Sequence, residues 1–202
     1  MKRIPLWIIL LPALSLRLAA GSFSLKAGLS QAGMISGYGE KALTGFQFGP
    51  AYELSLSAHL ALGAELAFVR RGTAEGMPQL NSTISNRITL DCLELPVMLD
   101  WRVNRIGARF QPFLCLGGYA AYILGVKSRF RGDGVSYDER IADEVKRADL
   151  GLLAGIGCEF PLLGRTFVVE CRLHHGLTRL DKPVYPQAWK TTSLSLLLGM
   201  RL

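Results

Sequence analysis

Apolar and polar residues alternate with a period of two along most of this chain. The pattern is clearest over residues 93–101, where the apolar positions are Leu93, Leu95, Val97, Leu99 and Trp101. The residues between them include the carboxylates Glu94 and Asp100. Such alternation gives a strand one apolar face and one polar face. A short basic turn and a second apolar arm, residues 113–124, follow, so this stretch predicts two long antiparallel strands.

The same alternation predicts eight strands, separated by connections of alternating length. The short connections are 55–58, 103–108 and 161–164, and the long ones are 32–42, 70–87, 127–147 and 176–190. An even number of antiparallel strands, with short turns at one end and long loops at the other, is typical of outer-membrane barrels. The predicted fold is therefore all-β, an eight-stranded antiparallel up-and-down transmembrane β-barrel in the cell outer membrane.

The distribution of charge between the two faces supports a membrane barrel over a soluble one. Within the predicted strands, the charged residues lie on the parity opposite to the Leu, Phe, Val and Tyr residues. They are Lys26, Glu53, Glu65, Glu94, Asp100, Glu159, Glu170, Arg172 and Arg201. A water-soluble barrel would present such charges to solvent. The apolar face is therefore predicted to contact lipid and the charged face to line the lumen.

The interior of an eight-stranded barrel is just wide enough to be filled by side chains. We define the lumen polar cluster as Glu65, Glu94, Asp100, Glu170, Arg172 and Arg201. Its members are predicted to plug the lumen as a hydrogen-bonded ion-pair network. A conducting pore or a ligand pocket is the alternative interpretation of the same charges.

The charge-free stretch 110–126 also permits a transmembrane helix. Its seventeen residues are at the lower limit for a helix that crosses about 30 Å of hydrocarbon. Pro112 and the pair Gly117 and Gly118 disfavour a helix further. A membrane strand needs only about 9 to 11 residues, so the strand is the favoured interpretation.

The N-terminus has the pattern of a secretory signal peptide. Lys2 and Arg3 precede an apolar segment, residues 4–14, and small residues follow at 19–22. We predict a signal peptide over residues 1–20 and a barrel domain over residues 23–202.

The net charge of the mature chain is only mildly positive. Loss of Lys2, Arg3 and Arg17 with the signal peptide lowers the formal charge from +7 to 7 − 3 = +4. This value does not indicate nucleic-acid binding in an exported protein. Basic loops could instead contact anionic lipid headgroups or lipopolysaccharide.

The cysteines Cys92, Cys115, Cys158 and Cys171 lie inside predicted strands and lack the spacing of a metal site. No metal or cofactor is predicted. Two interpretations stay open for these side chains. In an oxidising compartment, Cys92 could pair with Cys115 and Cys158 with Cys171 across hairpins. Alternatively, all four are small apolar residues on the lipid-facing surface.

No catalytic constellation is recognisable in the sequence. His174 and His175 are adjacent, so a strand directs one ring into the lumen and the other towards lipid. The two rings therefore cannot bind one metal ion. No nucleophile is accompanied by a general base, and no enzymatic activity is predicted.

Several segments, taken in order, resemble a known family. They are residues 45–72, then LELPVMLDW, QPFLCLGGYAAYIL, DLGLLAGIGCEF and RLHHGLTRL. Together they are similar to the PorT-like outer-membrane β-barrel family of Bacteroidetes, and they cover nearly all of the mature chain. The resemblance implies a small outer-membrane barrel with a structural or surface-interaction role. Because the namesake serves type IX protein secretion, a secretion component is the alternative. Outer-membrane lipid, the barrel-assembly machinery and a surface or secretion-system protein contacting the loops are the expected partners.

Overall fold

The computed structural model describes residues 21–35, 41–79, 82–107, 109–132, 135–140, 145–180 and 190–202. The predicted signal peptide, residues 1–20, lies outside the described residues, and so it stays a prediction. No helix in these ranges has the length and hydropathy required to cross a membrane.

Ten strands form one antiparallel sheet that closes on itself. The strands are β1 (Gly21–Ile35), β2 (Lys41–Ser55), β3 (Leu60–Glu65), β4 (Ala67–Gln79), β5 (Ser82–Arg102), β6 (Gln111–Gly132), β7 (Val135–Arg140), β8 (Ala148–Leu162), β9 (Arg165–Gly176) and β10 (Lys190–Arg201). β10 pairs with β1 and closes the ring. β3 and β4 share one position between β2 and β5, and β7 pairs with β6. The predicted eight-stranded antiparallel barrel is thus confirmed.

Two prolines explain why β3 and β4 are separate. The register on both sides of the interruption places Leu66 opposite Pro50 on β2 and Glu65 opposite Pro96 on β5. Proline has no N–H, so each neighbouring ladder loses one hydrogen bond here. The Leu66 N–H still donates to the Pro50 carbonyl at 3.0 Å. β3 and β4 therefore behave as one strand with a local interruption.

The outward face of the barrel forms an apolar band. On β5 the exposed apolar side chains extend from Trp101 to Leu93, and the next outward residue is Asp91. The ten residue-to-residue steps from Trp101 to Asp91 correspond to about 33 Å along a strand. At a tilt of about 40° this length spans about 25 Å of membrane, which is the height of the apolar band of outer-membrane barrels.

The interpretation of residues 70–87, 127–147 and 32–42 as long loops is wrong in part. β4 and β5 stay paired as far as Gln79 and Ser82, and β6 continues to Gly132, where it pairs with β7. β1 also extends to Ile35, and β2 begins at Lys41. A strand that leaves the membrane has water on both faces. It therefore needs no apolar periodicity, and the sequence pattern does not reveal it.

The transmembrane-helix alternative for residues 110–126 is also wrong. Nearly all of this stretch belongs to β6, which pairs with β5 on one side and with β8 on the other. In the hydrocarbon, these two ladders satisfy backbone groups that a helix would satisfy internally.

The cysteine predictions need two corrections. All four cysteines are free in the structure. Cys115 lies eight residues along β6 from Ile123, the register partner of Cys92. That spacing corresponds to about 27 Å, whereas a disulfide requires Cα atoms within about 7 Å. Cys92 and Cys115 are also buried inside the barrel, so only Cys158 and Cys171 lie on the outward face.

Glycines on the inward face make room for two large aromatic side chains. A Cβ atom at Gly151 would overlap the ring of Tyr119, and one at Gly157 would overlap the ring of Phe113. Tyr119 and Phe113 are both buried. The inward glycines thus set how much aromatic volume the lumen can hold.

Replacing Gly157 by alanine should destabilise the barrel. The added methyl group overlaps the Phe113 ring, and overpacking of this kind costs about 1–3 kcal/mol. The free energy of unfolding can be measured by urea titration of the barrel in lipid vesicles, with tryptophan fluorescence as the signal. Gly125→Ala is the matched control because nothing lies within 4 Å of its Cβ position. Equal stabilities of the two variants would contradict this account of the packing.

Candidate functional site

Charged side chains fill the lumen in three layers along the barrel axis. The lower layer, at the end with the short turns, consists of Glu53, Arg102, Glu159 and Arg201. The middle layer consists of Lys26, Glu65, Glu170 and Arg172. The upper layer consists of Arg71, Glu94, Tyr119, Asp149, His174 and Thr191.

The middle layer connects opposite walls of the barrel. Arg172 on β9 donates two hydrogen bonds to Glu65 on β3, with Nη1–Oε2 and Nη2–Oε1 distances of 2.7 and 2.6 Å. It also donates to Glu170 from Nη2 at 2.7 Å and from Nε at 3.1 Å. Lys26 Nζ on β1 contacts the same two carboxylates at 2.7 and 2.8 Å. Two cations and two carboxylates therefore form a neutral group, and only 1% of Arg172 is exposed.

The lower layer repeats this arrangement with four different strands. Arg102 on β5 pairs with Glu53 on β2 and with Glu159 on β8, the latter at 3.0 Å. Arg201 on β10 contacts the same two carboxylates at 3.2 and 3.0 Å. Again two cations share two carboxylates, and each carboxylate accepts from both guanidinium groups.

The upper layer combines an ion pair with aromatic and hydroxyl groups. Arg71 pairs with Glu94, whose other oxygen lies 3.3 Å from Nε2 of His174. The Arg71 guanidinium also lies over the Tyr119 ring, 5.2 Å from its centroid. The Tyr119 hydroxyl donates to Asp149 at 3.2 Å. Thr191 donates to the same carboxylate oxygen at 2.9 Å.

Asp100 differs from the other members of the lumen polar cluster. The sequence predicts it inside the lumen, and the side chain is buried there. No hydrogen bond to its Oδ1 atom is present within the described ranges, so Asp100 lies beside the ion-pair layers without joining them. It borders a small cavity of about 20 Å³ between the lower and middle layers. That volume suits a single water molecule.

Sequence reasoning misses two arginines that the layers require. Arg71 continues the inward series of β3 and β4, and Arg102 continues the inward series of β5. Both lie at or beyond the ends of the predicted strands, where the predicted alternation stops. Lys26 has the predicted inward parity but is not among the residues of the lumen polar cluster. Extending the period of two by one or two positions at each strand end would find both arginines.

The two histidines lie on opposite sides of the wall, as their adjacency predicts. His174 is buried in the upper layer, whereas His175 is exposed on the outward face. Within the described part of the chain, no group of three or more His, Cys, Asp or Glu side chains is arranged to hold a metal ion.

Replacing Arg172 by methionine should destabilise the barrel by about 3–5 kcal/mol. The change leaves two buried carboxylates with Lys26 as their only cation, and breaking a buried pair from one side costs about this much. Adding Glu170→Gln restores neutrality, so the double variant should regain part of the loss. Arg201→Met, at the partly exposed lower layer, should cost less than about 1 kcal/mol. Urea titration of vesicle-inserted protein measures the free energy of unfolding of all three variants. A double variant less stable than R172M would contradict the charge argument.

Comparison with known proteins places the barrel in a family. Residues 19–182 match a family model described as outer membrane protein beta-barrel domain. No curated protein is significantly similar in sequence.

Three solved structures illustrate the similarity in fold. The attachment invasion locus protein Ail of Yersinia pestis is 18% identical, with 90% of this chain and 99% of that chain covered and a TM-score of 0.47. Neisserial surface protein A is 10% identical, with 89% and 97% covered and a TM-score of 0.47. A major outer membrane protein from Thermus thermophilus is 14% identical, with 91% and 100% covered and a TM-score of 0.48.

At these identities and TM-scores the three structures carry no functional argument, and the assignment rests on the family model. That model covers well over half of the chain. The chain belongs to the outer membrane protein beta-barrel domain family and is a protein of the outer membrane.

Proposed function

We propose that this chain is a structural or surface-interaction protein whose lumen is closed by its own ion pairs. The middle layer is the observation that carries this proposal. Arg172 spans from β9 to Glu65 on β3, which is the opposite strand in the eight-membered ring. Lys26 on β1 contacts both carboxylates of this layer. A side-chain bridge across the full width of the lumen supports a barrel that does not conduct ions.

The energetics also favour a closed lumen. Displacing Arg172 would break four hydrogen bonds to two buried carboxylates at once. Uncompensated charges in such an interior cost several kcal/mol each. The lower and upper layers add two further barriers in series. A transport path would have to open all three layers together.

The projecting strands support a surface-interaction role. β4 and β5 remain paired for about nine residues beyond Arg70 and Asp91, which is roughly 20 Å above the apolar band. β6 and β7 extend the same sheet sideways. Long connections face the cell exterior in barrels of this type. A paired sheet in that position offers a surface or secretion-system protein a more rigid platform than a loop would.

The remaining expectations belong to the same proposal. The chain would be exported by the signal peptide at residues 1–20, inserted by the barrel-assembly machinery and held by outer-membrane lipid, without a cofactor, a nucleic-acid partner or an enzymatic activity. The catalytic pattern that an enzyme would need is not recognisable in the sequence.

The ordered segments that resemble the PorT-like family favour a second candidate, a component of a protein-secretion apparatus. These segments are barrel strands, and so they support the family more directly than the secretion role. A secretion component would use the projecting sheet as its docking surface. The two candidates differ in what happens when the chain is removed from the cell.

The purified barrel should not conduct ions in planar lipid bilayers. Replacing the residues of all three layers by alanine removes every bridge across the lumen and should produce measurable current steps. Arg109→Ala with Arg165→Ala removes two exposed cations near the short turns and should stay silent. Slower migration after boiling in a detergent gel checks that each variant is folded. Stable current through the unmodified barrel would overturn the closed lumen.

Deletion of the gene separates the two candidate roles. A structural or surface-interaction protein should leave the amount of protein released to the medium unchanged. A secretion component should lower it severalfold, with recovery on complementation. Mass spectrometry of the culture medium measures the difference. Loss of secreted proteins would replace the leading proposal by the secretion role.

A further inference from the structure

The outward face changes from apolar to cationic at one side of the barrel. Arg70 on β4 and Asp91 on β5 form a two-bond ion pair there, with Nε–Oδ1 and Nη2–Oδ2 distances of 2.6 and 2.9 Å. The Arg70 guanidinium also lies over the ring of Phe46, 5.2 Å from its centroid. This pair marks the upper edge of the apolar band, about 25 Å from Trp101 at the lower edge.

A cleft of about 510 Å³ lies at and above this edge, with its walls on β2, β4, β5 and β6. We name it the rim cleft. Its outward-facing charged residues are Arg70, Arg87, Asp91, Lys127 and Arg129. Four cations against one carboxylate give 4 − 1 = +3. Arg71 also borders the cleft, but its guanidinium is committed to Glu94 in the lumen.

Two of these cations are available to a ligand. Arg87 and Lys127 are exposed, and neither has a hydrogen bond or an ion pair in the described ranges of the chain. They lie close together because Arg87 is opposite Arg129 in the register and Lys127 is opposite Thr89. Arg129 lies opposite Asp138 on β7 in the register, and it forms part of the wall of the cleft.

An aromatic surface lies directly below the cleft. The exposed Phe46 and Phe48 on β2 and the half-buried Phe68 on β4 form one group, with ring centroids 5.6 to 6.2 Å apart. Phe46 belongs both to this group and to the contact with Arg70. A ligand that covers the whole feature must therefore combine an apolar part at the level of the hydrocarbon with an anionic part above it.

We propose that the rim cleft binds the phosphate groups of an outer-leaflet glycolipid of the lipid A type, whose acyl chains pack on Phe46, Phe48 and Phe68. Arg87 contributes a fork of N–H donors suited to a phosphate, and Lys127 contributes a point charge. Each basic residue near an anionic membrane surface adds appreciably to lipid affinity. This inference is independent of the closed lumen, since Arg87, Lys127 and the three phenylalanines face outward.

The position of the cleft disfavours a soluble anion as the occupant. The cations lie on the side wall at the edge of the apolar band, below the ends of the projecting strands. A soluble polyanion would gain nothing from the aromatic surface, and lipid would compete with it for the same wall. A phosphorylated glycolipid satisfies both surfaces at once.

The test measures thermal unfolding of the full barrel in neutral detergent micelles, with the gel shift on heating as the signal. Diphosphoryl lipid A should raise the unfolding temperature of the unmodified barrel in a saturable way, and dephosphorylated lipid A should not. Arg87→Gln with Lys127→Gln should raise the half-saturating concentration about 30-fold, from the usual contribution of two cations near an anionic surface. Arg109→Gln with Arg165→Gln, which removes two exposed cations near the short turns, should leave it unchanged.

Several outcomes would overturn the proposal. An equal shift with dephosphorylated lipid A would assign the effect to acyl chains alone. An equal shift with inorganic phosphate, or with a sulfated oligosaccharide, would assign the cleft to a soluble anion. An equal loss of affinity for lipid A in the two double variants would show an effect of net charge. Both double variants keep the lumen layers intact, so a folding failure would appear as loss of the gel shift without lipid.

Discussion

The structure depends on one constraint, that every backbone N–H and C=O group in the hydrocarbon must find a partner within the protein. The pairing of β1 with β10 meets it by leaving no strand edge in the membrane. At one point of the ring this constraint is not fully met. Pro50 and Pro96 each remove one donor beside the same point of the ring, and β3 and β4 are interrupted there. The ring tolerates the loss because Leu66 still donates to the Pro50 carbonyl.

Closure of the ring at eight strands decides the character of the interior. So few strands force the inward side chains into a narrow lumen, where an unpaired charge is costly. The middle and lower layers solve this in the same way, with two cations sharing two carboxylates drawn from opposite walls. Each shared carboxylate ties strands that are distant in sequence, as Arg172 ties β9 to β3. The ion pairs therefore cross-link opposite walls of the barrel as well as filling it.

Most of the fold could be predicted from the sequence because lipid imposes a strict parity on each strand. Parity correctly assigns His174 to the lumen and His175 to the exterior. It gives no signal in the strands above the membrane, which have water on both faces, whereas Arg71 still follows it just beyond the end of a predicted strand. Parity also carries no information on register. The pairing of Cys92 with Cys115 is therefore wrong although both lie on neighbouring strands, and the isolation of Asp100 could not be foreseen.

Arg70 and Arg71 show how one strand serves two separate sites. They are adjacent in sequence, so the pleat of β4 directs one side chain to the outer rim and the other into the lumen. Arg70 meets Asp91 and the Phe46 ring, whereas Arg71 meets Glu94 and the Tyr119 ring. Each arginine thus joins a carboxylate from β5 to an aromatic ring, one facing lipid and one facing the interior. Because these two arginines are adjacent, the outer edge of the apolar band and the upper layer of the lumen lie at about the same height.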